Sequence, residues 1–128
     1  MPPTDHPASP FDDLLGVRLT EVGRDRVVGV LEVSPKLHQP HGILHGGVYA
    51  TLAETVASYG GNTWLGEGHS MGVSNHTDFL RSVTGGTLTA VATPIQRGRT
   101  LQLWQVEITD DQGRVCAHAK VKLFNARP

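Results

Sequence analysis

The chain has a single cysteine, no excess of either charge and no long apolar run, and each absence excludes a class of protein. Cys116 alone cannot form an internal disulfide, and it argues against a metal site built from cysteines. Eleven Lys and Arg residues stand against 12 Asp and Glu, so bulk charge indicates neither a nucleic-acid partner nor a membrane surface. No apolar run approaches the roughly 20 residues of a membrane span. We expect a soluble cytoplasmic protein without a metal.

The first ten residues differ in composition from the rest. They contain four prolines and almost no apolar side chains, and they lack the basic and apolar segments of a secretory signal. The remaining length suits one compact core. We therefore expect a flexible arm over residues 1–10 and a single domain over 11–128.

Hydrophobic spacing predicts one long helix among six strands. From 45 to about 65, large apolar side chains recur at helical spacing beside a face of small residues, and no polar stripe is wide enough for a solvated face. Strands are expected over 17–22, 26–34, 70–82, 87–97, 101–109 and 114–125, with a helical turn over 11–16. In the last strand, Val115 and Ala117 are expected to face one way and Cys116 the other. The predicted class is α+β with an antiparallel sheet.

Glu54 is the only charged residue in the predicted helix. It could be an ordinary exposed glutamate, but no Lys or Arg stands four residues away, and its neighbours there are Ala50 and Ser58. We therefore expect its carboxylate to line a cavity. Ser58 could bond that carboxylate or a substrate, or it could bond a carbonyl of its own helix.

The start of the helix, His45-Gly46-Gly47, favours close approach of another molecule to the backbone. The Gly46 N–H at a helix start could donate to a developing oxyanion. His45 could be a cap without further role. Gln39 could reach the same oxygen or remain a plain loop amide.

Three arginines lie near predicted strand ends. Arg81, Arg97 and Arg99 could hold phosphates or could be solvated charges.

The central segment resembles the signature of hotdog-fold acyl-CoA thioesterases of the phenylacetate-degradation and Arthrobacter 4-hydroxybenzoyl-CoA type, which includes 1,4-dihydroxy-2-naphthoyl-CoA thioesterases. The match includes Gln39-Pro, Gly42, Leu44-His45-Gly46-Gly47, Leu52-Ala53-Glu54, Ser58, Met71-Gly72-Val73, Asn75, Phe79-Leu80-Arg81-Ser82, Gly86, Pro94, Gly98, the Trp104–Ile108 strand and the turn at Asp111–Arg114. It extends over about residues 11–125.

The resemblance implies a long helix wrapped by a curved antiparallel sheet, with active sites shared between two subunits. It implies Glu54 as nucleophile or general base, Gly46 as the main oxyanion donor and Gln39 as a second carbonyl contact. His45, Gly47, Thr55 and Ser58 would contact the substrate, His45 and Ser58 also the leaving group. Coenzyme A would lie along Gly72, Phe79, Leu80, Arg81, Ser82, Gln96, Arg97, Gly98, Arg99, Thr100 and Leu101. Some relatives have histidine at positions 79 and 96, so the nucleotide contacts would differ here.

The implied activity is hydrolysis of an acyl-CoA, with an aromatic or medium-chain acyl group, to free acid and coenzyme A. No cofactor is implied, and the implied assembly is a homodimer as the minimum active unit, within a dimer of dimers. A carrier-protein thioesterase, a hotdog hydratase and a non-catalytic acyl-CoA-binding module remain open alternatives.

Overall fold

A six-stranded antiparallel sheet wraps around one long helix in the computed structural model, which describes residues 9–128. The elements in chain order are α1 (Pro10–Leu15), β1 (Arg18–Val22), β2 (Val27–Glu32), a 3-10 turn (Pro35–Leu37), α2 (Gly46–Leu65), β3 (His69–Phe79), β4 (Thr87–Arg97), β5 (Leu101–Thr109) and β6 (Val115–Ala126). The strands are ordered β1-β2-β4-β5-β6-β3, and α2 contacts all six. The predicted α+β class and the predicted order of elements are confirmed.

The predicted end of the third strand was wrong. β3 ends at Phe79 rather than at Ser82, because the N–H groups of Leu80 and Arg81 both donate to the Cys116 carbonyl, at 2.8 and 3.1 Å. The predicted arm lies outside the described residues up to position 8. Of its last two residues, Ser9 is the N-cap of α1 and Pro10 is the first helical residue.

α2 approaches the sheet closely because it carries glycines at the contact points. A methyl group built at Gly60 would lie 2.6 Å from Cη2 of Trp104, and one at Gly61 would collide with Leu123. Trp104 is fully buried, and its indole N–H donates to Gln102 Oε1 at 2.8 Å. The face of small residues predicted from the sequence is thus a contact surface for the largest side chain of the core.

A β-bulge interrupts β3 at Val73. Gly72 pairs with Leu123 and Ser74 with Lys122, so Val73 is an extra residue without a partner on β6. Beyond the bulge, Asn75 pairs with Val121, which is buried like Leu123. Gly72 and Asn75 therefore both face α2, although three positions separate them and strict alternation would place them on opposite faces.

A second bulge changes the expected faces of β6. Ile108 pairs with Ala117 and Thr109 with Val115, which leaves Cys116 as the extra residue. Cys116 is therefore buried beside Ala117, and Val115 is 38% exposed, contrary to the predicted alternation. Burial raises the pKa of the Cys116 thiol.

A buried amide pair orders the turn between β4 and β5. Gln102 Nε2 donates to Asn125 Oδ1 at 2.8 Å and to the Gly61 carbonyl at 3.2 Å. Asn125 Nδ2 in turn donates to the carbonyls of Gly98 and Arg99, at 3.0 and 3.1 Å. The side-chain amides of Gln102 and Asn125 thus link this turn to the C-terminal part of α2.

Within residues 9–128, no helix is long and apolar enough to cross a membrane.

The contact at Gly60 leads to a stability prediction. Gly60→Ala forces a methyl group into the Trp104 ring, and this overpacking outweighs the gain in helix propensity, so the free energy of unfolding should fall by about 1–2 kcal/mol. Urea unfolding measures the change. Gly85→Ala is the matched control, because a methyl group there meets no atom within 4 Å; equal losses in the two variants would contradict the packing argument.

Candidate active site

Glu54 lies in the middle of α2, half-buried, where two cavities of about 580 and 560 Å³ meet. Both cavities are lined by Ser9, Asp12, Glu54 and Thr55. The prediction that this carboxylate lines a cavity is confirmed. In residues 9–128 no Lys or Arg forms an ion pair with it, so the carboxylate remains available to a ligand.

The sheet side of the site is shaped by the bulge in β3. Asn75 Nδ2 donates to Glu54 Oε1 at 3.2 Å and to the Ala50 carbonyl at 2.9 Å. A methyl group built at Gly72 would collide with Glu54 Oε2 and lie 2.9 Å from its Cδ. Gly72, expected as a coenzyme A contact, therefore makes room for the carboxylate, while Asn75 orients it.

Sequence reasoning assigned no role to Asn75. The residue belongs to the matched pattern, but its direction depends on the bulge at Val73, which no local sequence signal marks.

The start of α2 leaves one backbone donor free. His45 is the N-cap, and its Nδ1 accepts a hydrogen bond from the Gly47 N–H at 2.8 Å. A neutral imidazole that accepts at Nδ1 carries its proton on Nε2, which can donate to a ligand. Gly46 is the first helical residue, so its N–H has no intrahelical acceptor. His45 is thus a helix cap, and its contact with a substrate stays a prediction.

Phe79 covers this helix start. A methyl group built at Gly46 would lie 2.7 Å from Phe79 Cζ, so the ring rests directly on the glycine. The aromatic ring shields one side of the Gly46 backbone from water.

Gln39 lies in a tight loop just before α2. The Gly42 N–H donates to the Gln39 carbonyl at 3.0 Å, and the Gln39 N–H donates to the Ile43 carbonyl at 2.8 Å. The side-chain Oε1 accepts from the His41 N–H. This arrangement leaves the amide NH2 of Gln39 as a donor.

The cavity beside Glu54 also contains the Asp12 carboxylate, which sequence reasoning missed. Thr55 Oγ1 donates to Asp12 Oδ1 at 2.6 Å, which ties α1 to α2. Ser58 lines the same cavity as Glu54 and Thr55. Burial, and then the carboxylates of Asp12 and Asp13, raise the pKa of Tyr59 in that cavity. Spacing in the sequence does not predict the contact between Asp12 and Thr55, because the two residues are 43 positions apart.

The predicted catalytic groups do not meet within one chain. Gly46 and Glu54 are eight residues apart on one helix, which is a rise of roughly 12 Å. Glu54 and the Gly46 N–H of one chain are therefore separated by about two helical turns.

The predicted coenzyme A residues also separate into two groups. Leu101 pairs with Phe124, which pairs with Met71, so the β4–β5 turn lies at the Gly72 end of the sheet. Phe79 lies at the opposite end of β3, about 20–25 Å away. One group comprises Gly72, Gln96, Arg97, Gly98, Arg99, Thr100 and Leu101, and the other Phe79, Leu80, Arg81 and Ser82.

The three arginines differ in their contacts. Arg97 forms an ion pair with Asp25 at 3.0 Å, donates to the Arg24 carbonyl at 2.6 Å and lies over the Trp64 ring. Its guanidinium therefore joins the turn between β1 and β2 to the Trp64 ring. Arg81 and Arg99 are exposed.

No group of three or more His, Cys, Asp and Glu side chains that could hold a metal ion occurs in the described part of the chain.

Comparison with known proteins assigns the family. The family model described as "Thioesterase superfamily" matches residues 41–117. The proofreading thioesterase EntH of Cronobacter turicensis is 35% identical over 84% of this chain and 79% of its own length. The 1,4-dihydroxy-2-naphthoyl-CoA hydrolase of Escherichia coli K12 is 32% identical, also over 84% of this chain and 79% of its own length. The solved structure of Rv1847/MT1895 from Mycobacterium tuberculosis superposes with a TM-score of 0.91 at 47% identity, covering 94% of this chain and 100% of that one. This chain belongs to the thioesterase superfamily and is a thioester hydrolase with the hotdog fold.

Proposed function

We propose that this protein hydrolyses acyl-CoA thioesters with an aromatic or medium-chain acyl group, with Glu54 as the nucleophile or general base. The observation that carries the proposal is the Glu54 carboxylate, which lines a cleft without a cationic partner in residues 9–128 and is oriented by Asn75. The similarity to a 1,4-dihydroxy-2-naphthoyl-CoA hydrolase supports a coenzyme A ester as the substrate.

Thioester hydrolysis needs an oxygen nucleophile at the carbonyl carbon and donors at the carbonyl oxygen. Glu54 either attacks the carbon itself or removes a proton from the attacking water. The Gly46 N–H and the Gln39 amide stabilise the oxyanion, and an oxyanion donor lowers the barrier by about 3–4 kcal/mol in other enzymes. The C–S bond then breaks, and the coenzyme A thiolate leaves with little help from an acid. Where water attacks, the free acid is released directly; where Glu54 attacks, the acyl group stays on Glu54 as an anhydride, which a water molecule hydrolyses to the free acid and the Glu54 carboxylate.

The site would be completed by a second copy of the chain. β3 is the last strand of the sheet and pairs only with β6 within residues 9–128. It is 11 residues long and exposes Met71 by 51% and Val73 by 58%. A long, exposed edge strand with unpaired N–H and C=O groups is a template for another strand. We infer that two copies pair their β3 strands antiparallel about a two-fold axis.

This pairing joins the separated groups. An antiparallel pair centred near Ser74 sets the Phe79 end of one strand against the Met71 end of the other. Gly46 of the partner subunit, under its Phe79, then lies at the end of β3 where Gly72 and Glu54 meet. Arg81 of the partner subunit comes to the same end as Arg99, where the two cations could bind the phosphates of coenzyme A.

The carrier-protein alternative has one specific observation in its favour, the similarity to a proofreading thioesterase. A panel of aromatic, medium-chain and carrier-protein thioesters, followed by thiol release, separates the two substrates. Enoyl absorbance without thiol release would instead indicate a hydratase, and tight binding without turnover a non-catalytic module.

Glu54→Ala should retain the fold and lose kcat by at least about a hundredfold, because both routes need the carboxylate. Thiol release from an aromatic acyl-CoA measures the loss, and circular dichroism checks the fold. Glu107→Ala removes an exposed carboxylate on β5 as the control. Full activity of Glu54→Ala would contradict the assignment.

Asn75→Ala should lower kcat by about 10–100-fold, because a hydrogen bond to a carboxylate contributes about 1.5–3 kcal/mol and the freed Glu54 side chain samples other rotamers. Steady-state kinetics with the same substrate provides the measurement. Gln105→Ala, on the exposed face of β5, should leave kcat unchanged. An unchanged kcat in Asn75→Ala would show that Glu54 needs no orienting partner.

Complementation between two inactive variants tests the shared site. Glu54→Ala and Gly46→Val should each be inactive, but subunits of the two refolded together should regain about a quarter of wild-type activity. Half of the dimers are then mixed, and each mixed dimer holds one site with both native residues. Mixtures as inactive as the separate variants would show that each site belongs to one chain.

A further inference from the structure

Tyr49 joins the helix start to the segment that follows β3. It lies three residues after Gly46 on α2 and is 2% exposed. Its hydroxyl donates to the Arg81 carbonyl at 2.9 Å. Its ring stacks on Phe79 with centroids 5.8 Å apart and an interplanar angle of 28°. One buried side chain thus contacts two of the four residues in the segment Phe79–Ser82.

The same segment is held from its other side by β6. The N–H groups of Leu80 and Arg81 donate to the Cys116 carbonyl, and the Phe79 ring rests on Gly46. Tyr49 and Cys116 therefore clamp the backbone at Arg81, while the guanidinium of Arg81 stays exposed. The clamp fixes the backbone from which this cation projects, relative to Gly46.

The hydroxyl of Tyr49 has a specific task in this arrangement. The ring alone would be supplied equally well by phenylalanine, so only the bond to the Arg81 carbonyl requires a tyrosine. Burial raises the pKa of Tyr49 to about 12, so the hydroxyl keeps its proton and remains a donor throughout the neutral range.

We propose that Tyr49 is a positioning residue that couples the oxyanion donor Gly46 to the coenzyme A contact Arg81. The inference rests on the proposed function. With the clamp intact, the nucleotide part of the substrate is bound at a fixed distance from the group that polarises the thioester carbonyl. Without the hydroxyl, Arg81 shifts relative to Gly46, and only substrates that carry the nucleotide are affected.

Tyr49→Phe tests the coupling, because it keeps the ring and removes the hydroxyl. Two thioesters of the same aromatic acid are compared, the coenzyme A ester and the N-acetylcysteamine ester, which lacks the phosphates and the nucleotide. For the coenzyme A ester we expect KM to rise by about 3–10-fold with kcat nearly unchanged, as the loss of one hydrogen bond implies. For the N-acetylcysteamine ester, both constants should change less than twofold.

Two further variants separate positioning from general stability. Thr109→Val removes another hydroxyl-to-carbonyl contact, from Thr109 to Thr89, away from the site, and should leave both substrates unaffected. In an Arg81→Ala background, Tyr49→Phe should add less than twofold to the KM for the coenzyme A ester, because its effect acts through Arg81. Equal losses on both esters, or additive losses in the double variant, would overturn the proposal.

Binding of coenzyme A itself tests the coupling without turnover. Calorimetric titration should give a Kd that is about 3–10-fold weaker in Tyr49→Phe than in the wild type. A wild-type protein that binds coenzyme A but releases no thiol from any thioester would remove the proposed function and leave the coupling supported by this Kd difference. Equal Kd values, or no binding by the wild type, would overturn the role of Tyr49.

Discussion

The close contact between α2 and the sheet, made where side chains are absent, is the constraint on which the structure depends. Because Gly60 and Gly61 have no side chain, the helix packs directly against Trp104 and Leu123. On the sheet side, the missing side chain of Gly72 leaves space for the Glu54 carboxylate. A carboxylate at this depth needs space and a donor, and the strand provides both through Gly72 and Asn75. Packing and chemistry therefore share one geometric requirement, a short distance between helix and strand.

The proposed oxyanion donor and the proposed nucleophile lie at two different places on α2. In the proposed mechanism, the N–H group that polarises the carbonyl is at the start of α2, whereas the Glu54 carboxylate lies about two turns further along the same helix. The exposed edge of β3 offers the direct solution, since a two-fold axis exchanges the two ends of the strand. The proposed pairing of two β3 strands would thus explain both the exposed edge of the sheet and the separation of Gly46 from Glu54.

The fold could be predicted largely from the sequence, and the reasons for the remainder are physical. Helical spacing identified α2, and the single acid within it identified Glu54, because both signals are local. The roles of Asn75 and Asp12 were missed, since one depends on a bulge and the other on a contact between residues 43 positions apart. Arg97 shows a different limit. Its motif resembled a phosphate site, but the Trp64 ring and Asp25 that engage it come from distant segments.

The bulge at Val73 gives β3 an unusual tolerance to change. Val73 has no partner on β6 and is largely exposed, so the chemical nature of its side chain matters little to the core. Its presence as a spacer matters greatly, because loss of one residue would turn either Gly72 or Asn75 away from α2. The packing of the core therefore depends on the number of residues in β3 at this point and not on the side chain of Val73.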